Sequence, residues 1–331
     1  MTALLMKKTL ITAKNETTYG SAVVPTVSSN ALLCLETPDI VPVGEFLERK
    51  TCRSTLSPQV PVIGAKHYTF SIETEWKGGG SCNVGSGVQT YPEIHPFLQA
   101  AGMEVSATAQ SSGGSLDGNV AYKPVSTGFE SCTIYFYFDG QFHKTKGARN
   151  SIEFAVTAGD YGKITVDGMG LYEGASSVTF PSSPTFDGIS PPIGQAASFA
   201  FGSLTCASIV LTDFSFKIEN ALDPAKGLCA SEGVSEISLT GRNVTGKLTF
   251  ETIVEGTENT LDDWENQTTH KMYFTNTVDA SAGQKCLIEA PAVTITKPTY
   301  ADNNGRRMWE AELQFNSTSA AGDDEITITY S

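Results

Sequence analysis

Ser151-Ile-Glu-Phe-Ala-Val156 is the stretch that decides the fold. Ile152, Phe154 and Val156 project to one side and Ser151, Glu153 and Ala155 to the other, which is the period of a strand with one buried face. The same alternation sets Phe70, Ile72 and Trp76 against Ser71, Glu73 and Glu75. It also sets Trp309, Ala311, Leu313 and Phe315 against Glu310, Glu312 and Gln314. Asp139-Gly140, Asp167-Gly168 and Asn304-Gly305 read as the tight turns between such strands. Cys132–Phe138 is apolar on both faces, which predicts a central strand covered from both sides. Helical signal is confined to Pro96–Ala101, stopped by Gly102, and to Leu261–Thr269, which Thr260 caps and Asp262 and Asp263 suit electrostatically. The reading is an all-β chain with one short helix per half.

At about 150 residues per domain, a chain of 331 residues predicts two domains. The stretch Gly174–Gln195, with Pro181, Pro184, Pro191 and Pro192, reads as a linker. The expected division is 1–173, a linker over 174–200, and 201–331. With 22 basic and 36 acidic residues the net charge is −14, while 40% of the residues are hydrophobic. Such a chain can bury a core, and it lacks the clustered Lys and Arg that grip phosphates. No apolar run approaches the ~18–20 residues of a membrane span. Lys7, Lys8 and Lys14 break the N-terminal apolar residues into runs too short for a signal peptide, so the chain is expected to stay uncleaved in the cytosol where it is made. Seven widely spaced cysteines without a C-x-x-C pair read as thiols buried in a core.

The two halves align with each other. Tyr68–Glu75 lies over Leu248–Glu255, and Ala158–Tyr172 over Ala301–Phe315, matching Gly162 to Gly305 and Lys163 to Arg306. Strand, long loop, strand, helix and closing hairpin recur in the same order, which is the mark of an internal repeat.

Catalytic signatures are missing from this pattern. His67, His95, His143 and His270 sit in no metal-binding spacing, no G-x-S-x-G elbow occurs, and Gly78–Gly87 lacks the Lys-Ser/Thr of a phosphate loop. Acid pairs such as Glu73 and Glu75, or Asp323 and Asp324, read as surface charge. Neither a catalytic residue, nor a cofactor, nor a metal is expected. Two small basic clusters, Lys144/Lys146/Arg149 and Arg49/Lys50/Arg53, are suited to a partner's acidic patch or simply to solvating a loop.

Several stretches resemble the tail tube (major tail) proteins of long-tailed, non-contractile bacteriophages. They are Thr9–Leu33 with its Thr18-Tyr19-Gly20 turn, Glu45–Glu75 with Glu48-Arg49, Arg53 and Gly64, and the helix end Ala100-Ala101-Gly102. The longest is Tyr122–Tyr137, continuing through Asp139-Gly140, His143-Lys144 and Gly147-Ala148-Arg149; Pro298–Tyr300, Asn304-Gly305 and Asp323–Tyr330 close the likeness.

The resemblance implies two tandem β-sandwich domains whose strands join a ring-spanning inner β-barrel, in rings that stack into a tube for genome ejection. It implies a virion protein assembled in the host bacterial cytoplasm. Its partners would be copies of itself, the tape measure protein, the tail terminator, distal tail and baseplate proteins, and DNA passing unbound. Loops about Gly44–Gly64 and Asp223–Arg242 would reach the adjoining ring, giving Glu45, Arg49, Arg53, Pro58, Lys226 and Glu232 as contact candidates. Glu75 and Glu255 are the lumen candidates, because acid on the wall repels DNA. Four inner strands per domain and a barrel of about 24 strands, wide enough for a duplex, favour a ring of three chains over six. Other self-assembling β-subunits, such as capsid-decoration or filament proteins, and a carbohydrate-binding sandwich are the alternative readings.

Overall fold

The computed structural model describes residues 5–79, 84–85, 88–89, 91–108, 119–186, 188, 191, 194, 198–252, 260–275 and 285–330. The first half runs β1 (Thr9–Asn15), β2 (Ala31–Leu32), β3 (Asp39–Leu47), β4 (Val62–Glu75), the small pair β5 (Val84–Gly85) and β6 (Val88–Gln89), and α1 (His95–Ala100). It continues with β7 (Met103–Thr108), β8 (Asn119–Pro124), β9 (Cys132–Phe138), β10 (Gln141–Thr157) and β11 (Lys163–Ser176). The second half runs β12 (Ser198–Phe201), β13 (Leu204–Thr205), β14 (Leu211–Lys226), β15 (Val234–Glu251) and α2 (Thr260–Glu265). It ends with β16 (His270–Thr275), β17 (Cys286–Asn303), β18 (Arg306–Phe315) and β19 (Thr327–Tyr330). The protein is all-β, as its alternation requires, with 57% of residues in strands and 4% helical.

Antiparallel ladders order the main sheet as β3-β4-β11-β10-β14-β15-β18-β17. β10 and β17 are each long enough to serve two layers. The beginning of β10 pairs with β9, which pairs with β1, and β1 with β2. The beginning of β17 pairs with β16, then β12 and β13 follow. Every ladder of the first set therefore has a counterpart in the second: β1–β2, β1–β9, β9–β10, β10–β11, β4–β11 and β3–β4 match β12–β13, β12–β16, β16–β17, β17–β18, β15–β18 and β14–β15. Each helix falls between matching strands. Among the described residues the β7–β8 hairpin has no counterpart, and it docks on β19, which pairs with β17.

One core runs through both halves, between the main sheet and the helices and outer strands. At its centre Trp76 and Phe154 meet Phe216 and Phe274; Phe154 stacks on Phe216 at 4.7 Å between ring centroids. α1 begins with Pro96 in its first turn and stops at Gly102, whose φ of +76° only glycine adopts cheaply. α2 is a turn shorter than the sequence suggests, since Gln267 already takes a positive φ of 50°. β9 is the expected strand covered on both sides. Cys132, Ile134 and Phe136 face the main core, and Tyr135 and Tyr137 pack with Leu10, Ala31, Phe142, Phe180 and Phe186.

Some expectations need correction. Asp167-Gly168 is no turn: both residues lie within β11, opposite Ser71 and Phe70 of β4 and Ser151 and Asn150 of β10. Gly168 is there because a Cβ would come within 2.6 Å of the Arg149 carbonyl oxygen, so the ladder closes only on glycine. Asp139-Gly140 and Asn304-Gly305 are the two-residue turns expected. Among the described residues, the stretch expected as a linker is tied down as a strap. Phe180 and Phe186 roof β9, Thr185 N donates to Val27 O (3.0 Å), Gly159 N donates to Gly194 O (3.0 Å), and Gly194 N donates to Asp160 O (2.6 Å). The halves also match two residues away from the aligned register. Where Val166 pairs with Ile72, its aligned counterpart Trp309 pairs with Phe250 and not with Thr252. An even shift keeps every side chain on its face, so alternation could not detect it. Cys132 and Cys286 are buried, but Cys52, Cys206 and Cys229 are exposed. Most of Gly78–Gly87, and all of Glu255, lie outside the described residues.

Candidate assembly surfaces

Pairing fixes which side chains share the sheet face turned away from the core. One row reads Glu73-Thr165-Glu153-Lys217-Thr245-Gln314-Thr294 across seven strands, and the next reads Glu75-Lys163-Ala155-Ser215-Lys247-Glu312-Lys297. Asp167, Asp213, Glu219, Glu251 and Glu310 extend the same face. Each lysine in those rows has a carboxylate of the same face within 4 Å: Lys163 with Glu73 (2.9 Å), Lys217 with Glu219 (3.8 Å), Lys247 with Glu310 (3.1 Å) and Lys297 with Glu312 (2.9 Å). The cations are neutralised in place, and carboxylates are left over. Glu75 ends β4 on this face opposite Lys163, half-buried. Glu153 and Asp167, which the repeat alone did not single out, stand on the same face.

The sheet is open. Among the described residues β3 pairs only with β4, and β17 beyond Val293 only with β18, so both outer edges carry unmatched backbone. β3 and the start of β4 show Val41, Val43, Phe46, Leu47, Val62 and Ile63 to solvent.

Two hairpins form the arms. β3 and β4 lead to the loop 48–61, where Arg49, Lys50, Arg53 and Pro58 are all exposed, with Leu56 and Val60 among them. β14 and β15 lead to the loop 227–233, with Leu228 fully exposed. The arms touch. Glu45 meets Lys226 at 2.5 Å, and Glu232 meets Lys66 at 2.5 Å while its carbonyl accepts from Lys66 N at 2.9 Å. That contact raises the Lys66 ammonium pKa through the hydrogen bond to Glu232. Three of the six contact candidates are thus placed together: Glu45 and Lys226 bond each other, and Glu232 braces the second arm against the first. Arg49, Arg53 and Pro58 are in the loop itself.

The other basic cluster is consumed internally. Lys144 and Lys146 both bind Glu173, at 2.9 and 2.5 Å. Arg149 is buried, donating to Glu236 Oε1 (2.8 Å), Ile237 O (2.6 Å) and Phe129 O (3.2 Å), with its guanidinium over the Tyr19 ring at 4.7 Å. The Tyr19 hydroxyl accepts from Ile237 N and donates to Gly147 O, and burial pushes its pKa up to about 12. Arg242 secures the same arm, bonding Glu325, Asp323 and the Val125 carbonyl at 2.7 Å each. Arg149 stood out in the sequence only as one of a basic cluster and Arg242 not at all, because their acidic partners lie 81 to 87 residues away.

An open sheet with exposed edges, projecting arms and a continuous acidic face is the build of a structural subunit that associates through its surfaces. The model of the phage tail tube protein family matches residues 6–330, and the chain belongs to that family. No curated protein sequence matches it. It is accordingly a structural component of the virion tail that associates with itself and with other tail proteins. No helix among the described residues is long and apolar enough to cross a membrane.

Proposed function

We propose that the chain assembles into stacked rings whose lumen is walled by the acidic face of the main sheet, and that genome DNA passes through this lumen on ejection. The observation that carries the reading is the charge arrangement: every lysine of the central rows is matched by a carboxylate, and unmatched carboxylates remain. A wall of free Lys or Arg would release counterions from phosphates and hold the duplex, whereas a surplus of acid keeps it sliding. Glu75 belongs to that wall, with Glu153 and Asp167. Residues 1–173 and 201–331 act as two copies of one tube unit, joined by the strap 174–200; the matched ladders support this. The exposed loop bearing Arg49, Arg53 and Pro58, stiffened from the side by Glu45–Lys226 and Lys66–Glu232, reaches the adjoining ring. The tape measure protein fills the lumen before ejection, and terminator and distal tail proteins close the ends. The tube is non-contractile and forms in the host cytoplasm. Nothing in this role requires catalysis.

The test is electron microscopy of the purified protein at rising concentration, where hollow tubes are expected. In virions, Glu75→Lys with Glu153→Lys should leave tubes intact and slow DNA release at least several-fold. Unchanged release kinetics would take this face off the lumen wall.

A further inference from the structure

We infer that the first arm of one copy docks on the exposed end of α2 in another, setting Phe46 and Pro61 against Trp264 and Gln267. This rests on the assembly reading above, of which it needs only that copies of the chain associate.

The chain already contains one contact of this kind. α1 and α2 occupy matching places, each is six residues long, and each is followed two positions on by a residue of positive φ, Gly102 at 76° and Gln267 at 50°. The second arm covers the end of α1. Asn220 of β14 donates through Nδ2 to the carbonyls of Ala101 and Asn150, both at 2.8 Å, and Leu239 of β15 lies 3.2 Å from where a Cβ of Gly102 would stand. Ala100, Ala101 and Gly102 are buried there. At the end of α2, by contrast, Trp264, Glu265, Asn266 and Gln267 are all exposed. Trp264 is oriented by its Nε1, which donates to Thr296 O at 3.0 Å, and it keeps 46% of its surface in water.

The matched ladders identify the segment that belongs on α2. Ile72↔Val166 matches Phe250↔Trp309, so Ser71 answers to Thr249 and, across the ladder, Asp39 to Asp213. Counting on from that rung puts Phe46 at the place of Asn220. Each arm also carries one extra residue on its second strand, between the partners of Gly44 and Phe46 in the first and of Ala221 and Leu222 in the second. Past both, Pro61 stands at the place of Leu239. Phe46 and Pro61 are exposed, with Leu47, Val62 and Ile63 exposed beside them. Where the second arm presents an amide to a helix carbonyl, the first presents a phenyl ring to an exposed indole.

Charge agrees with the match. Asp262 and Glu265 of α2 are exposed, and no basic residue lies between Thr260 and Thr269. The loop 48–61 carries Arg49, Lys50 and Arg53, all exposed, against the one acid Glu48. The two surfaces belong to opposite edges of one chain. α2 packs on β17, and the first arm leaves from β3, seven strand spacings or ~34 Å away along the sheet. The occupant is therefore a second copy. Because unlike surfaces meet, each copy gives its arm to one neighbour and its helix to another.

Trp264 is the natural reporter, because Trp76 and Trp309 are buried. On assembly the tryptophan emission of the unaltered protein should shift to the blue and resist acrylamide quenching, and Trp264→Phe should abolish both changes. Phe46→Ser, at an exposed site, should leave the circular dichroism of the monomer unchanged and raise the concentration needed for assembly at least tenfold. Asp262→Lys with Glu265→Lys should do the same, with recovery on adding Arg49→Glu and Lys50→Glu. For the contact itself, Pro61→Cys and Gln267→Cys are placed in separate chains with Cys52, Cys206 and Cys229 changed to Ser. Mild oxidation of the two assembled together should give a two-chain species on a non-reducing denaturing gel, and either assembled alone should give none. Assembly with unshifted emission, assembly without the mixed cross-link, or Phe46→Ser assembling at the unaltered concentration overturns the docking. An unaltered protein that stays monomeric at every concentration removes the assembly reading itself, and this contact with it.

Discussion

Arg149 and His95 carry opposite lessons about buried charge. Arg149 is tolerated beneath the surface because three acceptors and the face of Tyr19 replace its water. Arg149→Met keeps much of the volume but orphans the carbonyls of Ile237 and Phe129. We expect a loss of about 3 kcal/mol, read as a lower urea midpoint, with the second arm released first. His95 is held neutral. It stacks on Tyr91 at 4.1 Å with Nδ1 2.8 Å from the Tyr122 hydroxyl, and burial lowers its pKa to about 4. The unfolded chain protonates near 6.5, so between pH 6.5 and about 4 it binds a proton that the folded chain refuses. Stability therefore falls as pH drops through that window, by up to ~3 kcal/mol, and this contribution levels off below it. Urea titrations of the unassembled chain at pH 7.5, 5.5 and 4 should show the decline. His95→Gln, which cannot titrate, should flatten that part of it.

At the scale of elements, alternation located the strands because each main-sheet strand buries one face only, and β9 was legible as the exception because it is apolar throughout. What alternation lacks is a term for close approach. Asp167-Gly168 has the composition of a turn, yet Gly168 is a packing glycine under Phe70 and Arg149, a distinction made by strands distant in sequence. Gly246 shows the same, since a Cβ there would meet the Ser215 carbonyl oxygen and the Phe315 ring at 2.9 Å. Gly168→Ala and Gly246→Ala should each cost about 2 kcal/mol or more, measured by thermal unfolding, whereas Gly174→Ala, with nothing within 4 Å of a Cβ, should be far milder despite its positive φ of 76°. The strap 174–200 escaped in a related way. Its prolines do not keep Phe180 and Phe186 from covering β9. The arms were legible as long polar loops; their mutual bracing through Glu45 and Glu232 was not, because nothing in one half announces its partner in the other.

For the whole molecule, the decisive quantity is where the −14 charge lies, not its size. Net charge alone would predict indifference to DNA on every surface, yet exposed cations exist: Arg49, Lys50 and Arg53 stand free of the acidic face on the first arm. On the main sheet the lysines are spent on neighbouring carboxylates, so a phosphate approaching that face meets net negative charge within a Debye length of ~8 Å. Matched pairs also make the surface insensitive to one substitution, since removing a single carboxylate only frees the lysine beside it. Reversal of the unmatched acids is the sharper probe. Glu75→Lys, Glu153→Lys and Asp167→Lys together change the face by six charges and touch no core residue. Tubes of the unaltered protein should retain no short duplex DNA at 50 mM salt. Tubes of the triple variant should retain it, with binding that weakens steeply as salt rises, by a log–log slope of about −0.9 for each phosphate neutralised. A slope near zero would mean that the DNA is held elsewhere, and that the acidic face of the main sheet is not the wall it meets.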